Sequence, residues 1–166
     1  ILYRTNYQSR AIEESLLKEG VPYRLVGGFR FYERKEIKDI ISYLRFIYNI
    51  KDELSLDRVL NVPTRKIGPK TVAILHESAK EIECSVGELL VASYMKDHPE
   101  VGNIQGIRED ILNKIPAVQE NLGKLQTIIS TFGYIYTEAQ NKNILDIIDM
   151  ILDKTNYIRW FDDGSD

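Results

Sequence analysis

"VPTRKIGPKT", Val62 to Thr71, decides how the chain is read. It sets Arg65 and Lys66 before Gly68, follows with Pro69, and ends in Lys70 and Thr71. A phosphate loop of the form Gly-x-x-x-x-Gly-Lys-Ser/Thr wraps phosphates in successive backbone N–H groups. Here Pro69 separates Gly68 from Lys70, and proline has no N–H to donate. Pro63 stands where the first glycine would be, and the segment before the loop reads as helix, not strand. The nucleotide reading therefore fails. The Gly27-Gly28 pair in "LVGGFRF" lacks the rest of a dinucleotide fingerprint and reads as a turn.

A second reading is a helix-loop-helix that grips nucleic-acid backbone. Gly68 lets a backbone come close. The amides at the start of a helix opening at Pro69 form an anion site, helped by the helix dipole. Thr71 adds a hydroxyl, and Arg65, Lys66 and Lys70 add charge. Contacts of this kind position DNA without reading its sequence. The plain alternative, a solvated turn with a capped helix, stays open from the loop alone.

The charge balance bears on that choice. The chain has 166 residues and a net charge of -3. Residues 1–71 hold 14 Lys and Arg against 9 Asp and Glu, a net of +5, whereas residues 72–166 hold 8 against 16, a net of -8. A basic first part of this kind points to a polyanionic partner. Hydrophobic residues make up 43% and charged residues 28%, a usual globular mix. No apolar run approaches the ~20 residues of a membrane span, and no secretory signal is present. Cys84 is the sole cysteine, which excludes an internal disulfide and a thiolate cluster. His76 and His98 are too few and too far apart in sequence for a metal site. The opening at Ile1 without a methionine, and the close on "FDDGSD", read as a piece of a larger protein.

The pattern predicts a mainly α-helical fold with a small α/β corner at the N-terminus. "ILYRT" (1–5) reads as a strand, "QSRAIEESLLKEG" (8–20) as a helix closed by Gly20, and "VPYRLVGG" (21–28) as a second strand. In the helix over 33–49, Ile37, Ile40, Ile41, Leu44, Ile47 and Tyr48 form the expected core stripe, with Lys35, Lys38, Ser42 and Arg45 as a basic ridge opposite. A short helix over 55–61 stops at Pro63, and the next starts at Pro69 with Val72, Leu75, Ala79 and Ile82 inward. "SVGE" (85–88) is a capping box. Pro116 should start or kink a long helix whose buried stripe is Val118, Leu122, Leu125, Ile129, Phe132 and Tyr136. Asn143 should cap the last strong helix. The expected boundary lies near Gly27-Gly28, giving domains of 1–28 and 29–166. Arg4 and Asn6, at the end of the expected first strand, stand where ligand-binding residues sit in open α/β sheets, and both types suit phosphate and base contacts. Asn6 also suits a plain helix cap.

Taken together, "ILYRTNYQSRAIEESLLKEGVPYRLVGGFRFYERKEIKDIISYLRFIYN" and "LDRVLNVPTRKIGPKT" resemble the superfamily 1 DNA helicases of the UvrD/PcrA/Rep type. The motifs keep the family's order and similar spacing over nearly all of the first 71 residues, and weaken beyond Ala73. The resemblance implies that 1–28 belong to the second RecA-like motor domain, 2A, and 29–166 to the inserted, mostly helical accessory domain, 2B, in truncated form. It implies 3′→5′ translocation on single-stranded DNA by the parent chain, with ATP and Mg²⁺. Arg4 and Asn6 would touch the single strand. Lys38 and Arg45 would meet duplex backbone, as would Gly68 and Thr71 through a helix-hairpin-helix-like Gly-Ile-Gly loop. Lys66 stands where that loop's first glycine is usual, which means strain if φ there is positive. No phosphate loop, Mg²⁺-binding Asp-Glu pair or γ-phosphate arginine of the family pattern is present, so this piece should hold no cofactor and no catalytic residue of its own. The expected partners are single-stranded and duplex DNA, junctions and the parent's motor domains, in a cytoplasmic setting, nucleoid-associated in a bacterium. Two rivals remain. One is a regulatory protein-interaction module using the acidic later half. The other is a free-standing helix-hairpin-helix protein, which leaves the α/β start unexplained.

Overall fold

The structure, a computed structural model, describes residues 1, 6–24, 31–102, 104 and 106–164. Every regular element among the described residues is helical. The expected strand at 1–5, and the second half of the one at 21–28, lie outside the described residues. The described half of the second, Val21–Arg24, is irregular rather than strand. The chain divides into two compact units, 1–41 and 42–166. The expected boundary at Gly27-Gly28 lies outside the described residues.

In the first unit, α1 (Asn6–Lys18) ends as its sequence predicts. Gly20 takes φ +65. Its N–H donates to the Leu17 carbonyl at 3.1 Å, and the Val21 N–H to the Leu16 carbonyl at 2.9 Å. This crossed pair satisfies carbonyls that a helix end otherwise leaves open. Leu17 is exposed, while Ser9 and Glu13 are buried. Tyr23 donates to the Glu13 carboxylate at 3.2 Å.

Helix α2 (Lys35–Tyr48) runs from the first unit into the second. Its buried positions are Asp39, Ser42, Tyr43 and Phe46. The isoleucines and Leu44 of the expected stripe are only half-buried, and Tyr48 is 94% exposed. Ser42, expected on the basic ridge, is inside. The cause is the partner, not the periodicity. Tyr43 stacks on Phe132 at 5.9 Å and Phe46 meets the same ring edge-on at 5.6 Å, so two aromatics set the angle at which the helix packs.

The second unit is built around α5 (Val86–Asp97), which is buried on every side from Val86 to Met95. Its start is the predicted capping box: the Glu88 N–H donates to Ser85 Oγ at 3.2 Å, and the Ser85 N–H to the Glu88 carboxylate at 2.9 Å. Helix α7 (Gln126–Ala139) lies against α5, and the approach is close enough that a Cβ at Gly133 would run into the Tyr94 side chain. Helices α4 (Pro69–Glu81) and α6 (Glu109–Leu122) cover further sides of α5. Pro116 neither starts nor ends α6 but sits inside it, and the stripe Val118 to Tyr136 is buried as expected while running across two helices. Helix α8 (Ile144–Thr155) is capped by Asn143, whose side chain accepts from the Leu145 and Asp146 amides. Helix α9 (Tyr157–Asp162) follows through Asn156, which is left-handed at φ 53. No described helix is long and apolar enough to cross a membrane.

Candidate nucleic-acid interface

The opening loop joins α3 (Glu53–Leu60) to α4. Helix α3 begins at Asp52, whose carboxylate accepts from the Ser55 N–H at 3.0 Å and the Ser55 hydroxyl at 2.8 Å. These bonds, and to a smaller extent the Arg45 charge, hold the Asp52 carboxyl below its ordinary range. Leu56, Val59 and Leu60 carry α3 into the core, and Pro63 is buried behind the loop.

The first half of the loop is tied down from inside. One terminal nitrogen of Arg65 donates to the carbonyls of Val59, Leu60 and Val62 at 2.9, 3.0 and 3.1 Å. The other donates to the Tyr43 hydroxyl at 2.7 Å, and that hydroxyl donates to the Val62 carbonyl. The guanidinium carbon lies 5.3 Å from the centre of the Phe132 ring. Two of these carbonyls belong to the last turn of α3, which carries the negative end of the helix dipole; the Val59 carbonyl also accepts from the Val62 N–H at 3.1 Å. A fork of fixed donors suits that task better than an ammonium. Asn61 works from the other side: its Oδ1 accepts from the Arg65 N–H at 2.7 Å and the Ile67 N–H at 3.3 Å.

The second half faces outward. Lys66 and Lys70 are exposed, and Gly68 and Thr71 are half-exposed. Lys66 takes φ 59, so the left-handed turn of the loop is made by lysine rather than glycine. That costs about 1 kcal/mol. Gly68, in contrast, has φ -88 and ψ 169, which any residue adopts. A Cβ built on Gly68 meets nothing within 4 Å. Neither backbone conformation nor internal packing asks for glycine there. Pro69 is the first residue of α4, as expected, and the Thr71 N–H donates to the Gly68 carbonyl at 2.9 Å. The Lys70 N–H is among the first-turn amides for which a helix offers no carbonyl four residues back. His76 on α4 pairs with Asp57 on α3 at 3.3 Å, a second tie between the arms.

The other expected site residues fall elsewhere. Lys38 and Arg45 are both exposed on α2, two turns apart. Arg4 lies outside the described residues; Asn6 is the first residue of α1, and its side chain is not among those described. Asn61 and Tyr43 were not singled out from the sequence. Asn61, placed just after a helix and two residues before a proline, was the available signal for a turn residue whose side chain bonds the backbone.

The loop does not fit a nucleotide. A helix precedes it, Pro63 is buried where a phosphate-loop glycine would stand, and Pro69 removes an amide from the turn. Among the described residues, no group of His, Cys, Asp and Glu is placed to hold a metal ion. Cys84 is half-buried, and burial, with a smaller effect of the Glu88 charge, pushes its thiol up to about 12.

What the site defines is a helix-loop-helix presenting lysines and a helix start to solvent. The UvrD-like helicase C-terminal domain matches residues 1–157, and the chain belongs to that family. It is 36% identical over 157 residues to the ATP-dependent DNA helicase PcrA of Staphylococcus aureus (strain Mu50), covering 95% of this chain and 19% of that protein. The PcrA helicase of Staphylococcus epidermidis (strain ATCC 12228) is 37% identical over the same length. The chain thus spans about a fifth of the length of the curated relatives it matches.

Proposed function

We propose that this chain is the DNA-gripping accessory region of an ATP-dependent 3′→5′ DNA helicase. In this reading 1–28 belong to motor domain 2A and 29–166 to accessory domain 2B. The loop holds duplex or junction backbone ahead of the motor through Lys66, Gly68, Lys70 and Thr71. Lys38 and Arg45 add contacts to duplex backbone, and Arg4 and Asn6 reach the single strand. The observation that carries the reading is Gly68. It is a glycine with no conformational or packing need for one, at the opening of a helix between two exposed lysines. A missing side chain that the fold does not use leaves room for something outside it, and a phosphate fits the charge and the helix start. ATP and Mg²⁺ act elsewhere in the parent chain, and this piece alone hydrolyses no ATP.

The test is the affinity of the chain for a labelled single strand, a blunt duplex and a duplex with a 3′ tail, at low and moderate salt. Four neutralised phosphates, at Lys38, Arg45, Lys66 and Lys70, give a slope of about -3.6 in log K against log salt, a loss of roughly 150-fold between about 50 and 200 mM. Duplex-containing DNA bound best, with that slope, supports the grip. Absence of binding to all three at low salt counts against it.

A second reading, a regulatory protein-interaction module, has its own observation. On acidic α8, Ile144 and Leu145 are 56% and 69% exposed. Recovery of protein partners after nuclease treatment, from a chain with no DNA affinity, favours that reading instead.

A further inference from the structure

We infer that Arg65 is a positioning residue: it holds the loop in its gripping shape through the α3 carbonyls and Tyr43, and does not itself meet DNA. The inference deepens the grip reading and rests on it. The loop carries three cationic side chains in a row of six residues, and charge alone makes them equivalent. Geometry separates them. Lys66 and Lys70 are exposed, while both terminal nitrogens of Arg65 point inward. Its fork spans the end of α3, at Val59 and Leu60, the loop carbonyl of Val62, and the buried Tyr43 of α2. The Phe132 ring of α7 lies against the same guanidinium. Turning Arg65 out to a phosphate would withdraw its donors from the Val59, Leu60 and Val62 carbonyls and from the Tyr43 hydroxyl, which opposes the turn. The backbone of Arg65 is held as well, by Asn61. The residue therefore links the exposed turn to the aromatic core formed by Tyr43, Phe46 and Phe132.

A positioning role makes a different prediction from a phosphate contact. Loosening the loop lowers the fraction of molecules in the binding shape, and the apparent affinity falls by that fraction. The bound state still neutralises the same phosphates, so the salt slope stays unchanged. Lysine is the discriminating substitution, since it satisfies a phosphate as a point charge but cannot reproduce the fork. The probe is a labelled duplex with a 3′ tail, titrated across salt with wild type, R65K, R65Q and Y43F. Hydrogen exchange of the Arg65 and Ile67 amides is followed in each. Expected are a loss of roughly tenfold for both Arg65 variants and about threefold for Y43F, at the wild-type slope. The two amides exchange faster in all three. R65K binding as wild type, with R65Q losing about 0.9 of the slope and Y43F neutral, makes Arg65 a phosphate contact and overturns the inference. Should wild type bind no DNA, the grip reading falls separately. Exchange then decides the role of Arg65: faster in R65K and Y43F upholds it, and unchanged protection overturns it.

Discussion

The two halves of the α3–α4 loop use their residues in opposite ways. In the first, the chain is fastened by Asn61 Oδ1, the inward Arg65 fork and Tyr43. In the second, the Lys66 and Lys70 side chains are exposed. The same contrast holds for backbone freedom. Lys66 occupies the left-handed conformation that favours glycine, and Gly68 occupies an extended one that does not need it. The lesson is that a stiff base permits an open face. Strain of about 1 kcal/mol at Lys66 is tolerable because the neighbouring backbone is over-determined by side chains.

The largest effect should come from cutting the base. Asn61→Ala removes an acceptor shared by two amides, and should cost about 1.5 kcal/mol, a fall of about 3–6 °C in thermal midpoint. Duplex affinity should fall with it. A stable variant with intact affinity would break the distinction between base and face.

Changes on the open face should do the reverse. Lys70→Gln should leave the thermal midpoint within about 1 °C and reduce the salt slope by about 0.9. Lys66→Gly relieves the left-handed strain but adds freedom to the unfolded chain, so stability should shift by less than about 0.5 kcal/mol. Its salt slope should also drop by about 0.9, measured by titration against the tailed duplex. A marked loss of stability in either variant would place these lysines in the base.

The smallest effect lies away from the loop. The Cys84 thiol rises from an ordinary 9.0 to about 12 on burial, so folding holds its proton where the unfolded chain releases it. Its contribution to stability is present below pH 9 and is lost as pH rises toward 12. Cys84→Ala should flatten the decline of the thermal midpoint across that window, read by alkaline melts. Duplex affinity at neutral pH should be unaffected.

Local chemistry was legible in the sequence. Gly20, Pro69, the Ser85–Glu88 box and Asn143 do what their types and spacing say, because each needs only neighbours within a few residues. The buried face of α2 was not legible: several apolar stripes are possible on that helix, and the rings of α7 select the one with Tyr43 and Phe46. For the loop, the sequence showed the charge but not its direction. Arg65 and Lys66 are adjacent and both basic, and only the carbonyls at the end of α3 and the left-handed turn send one in and the other out.

The most direct measurement is the duplex affinity of Gly68→Ala beside its thermal midpoint. The added methyl meets no protein atom and its φ is ordinary, so stability should hold or rise by about 0.4–1 kcal/mol. Crowding against a closely approaching phosphate should weaken duplex binding roughly tenfold, in line with the 1–3 kcal/mol that an extra methyl costs in a tight contact. Equal affinity in the variant and wild type would contradict a backbone grip at Gly68.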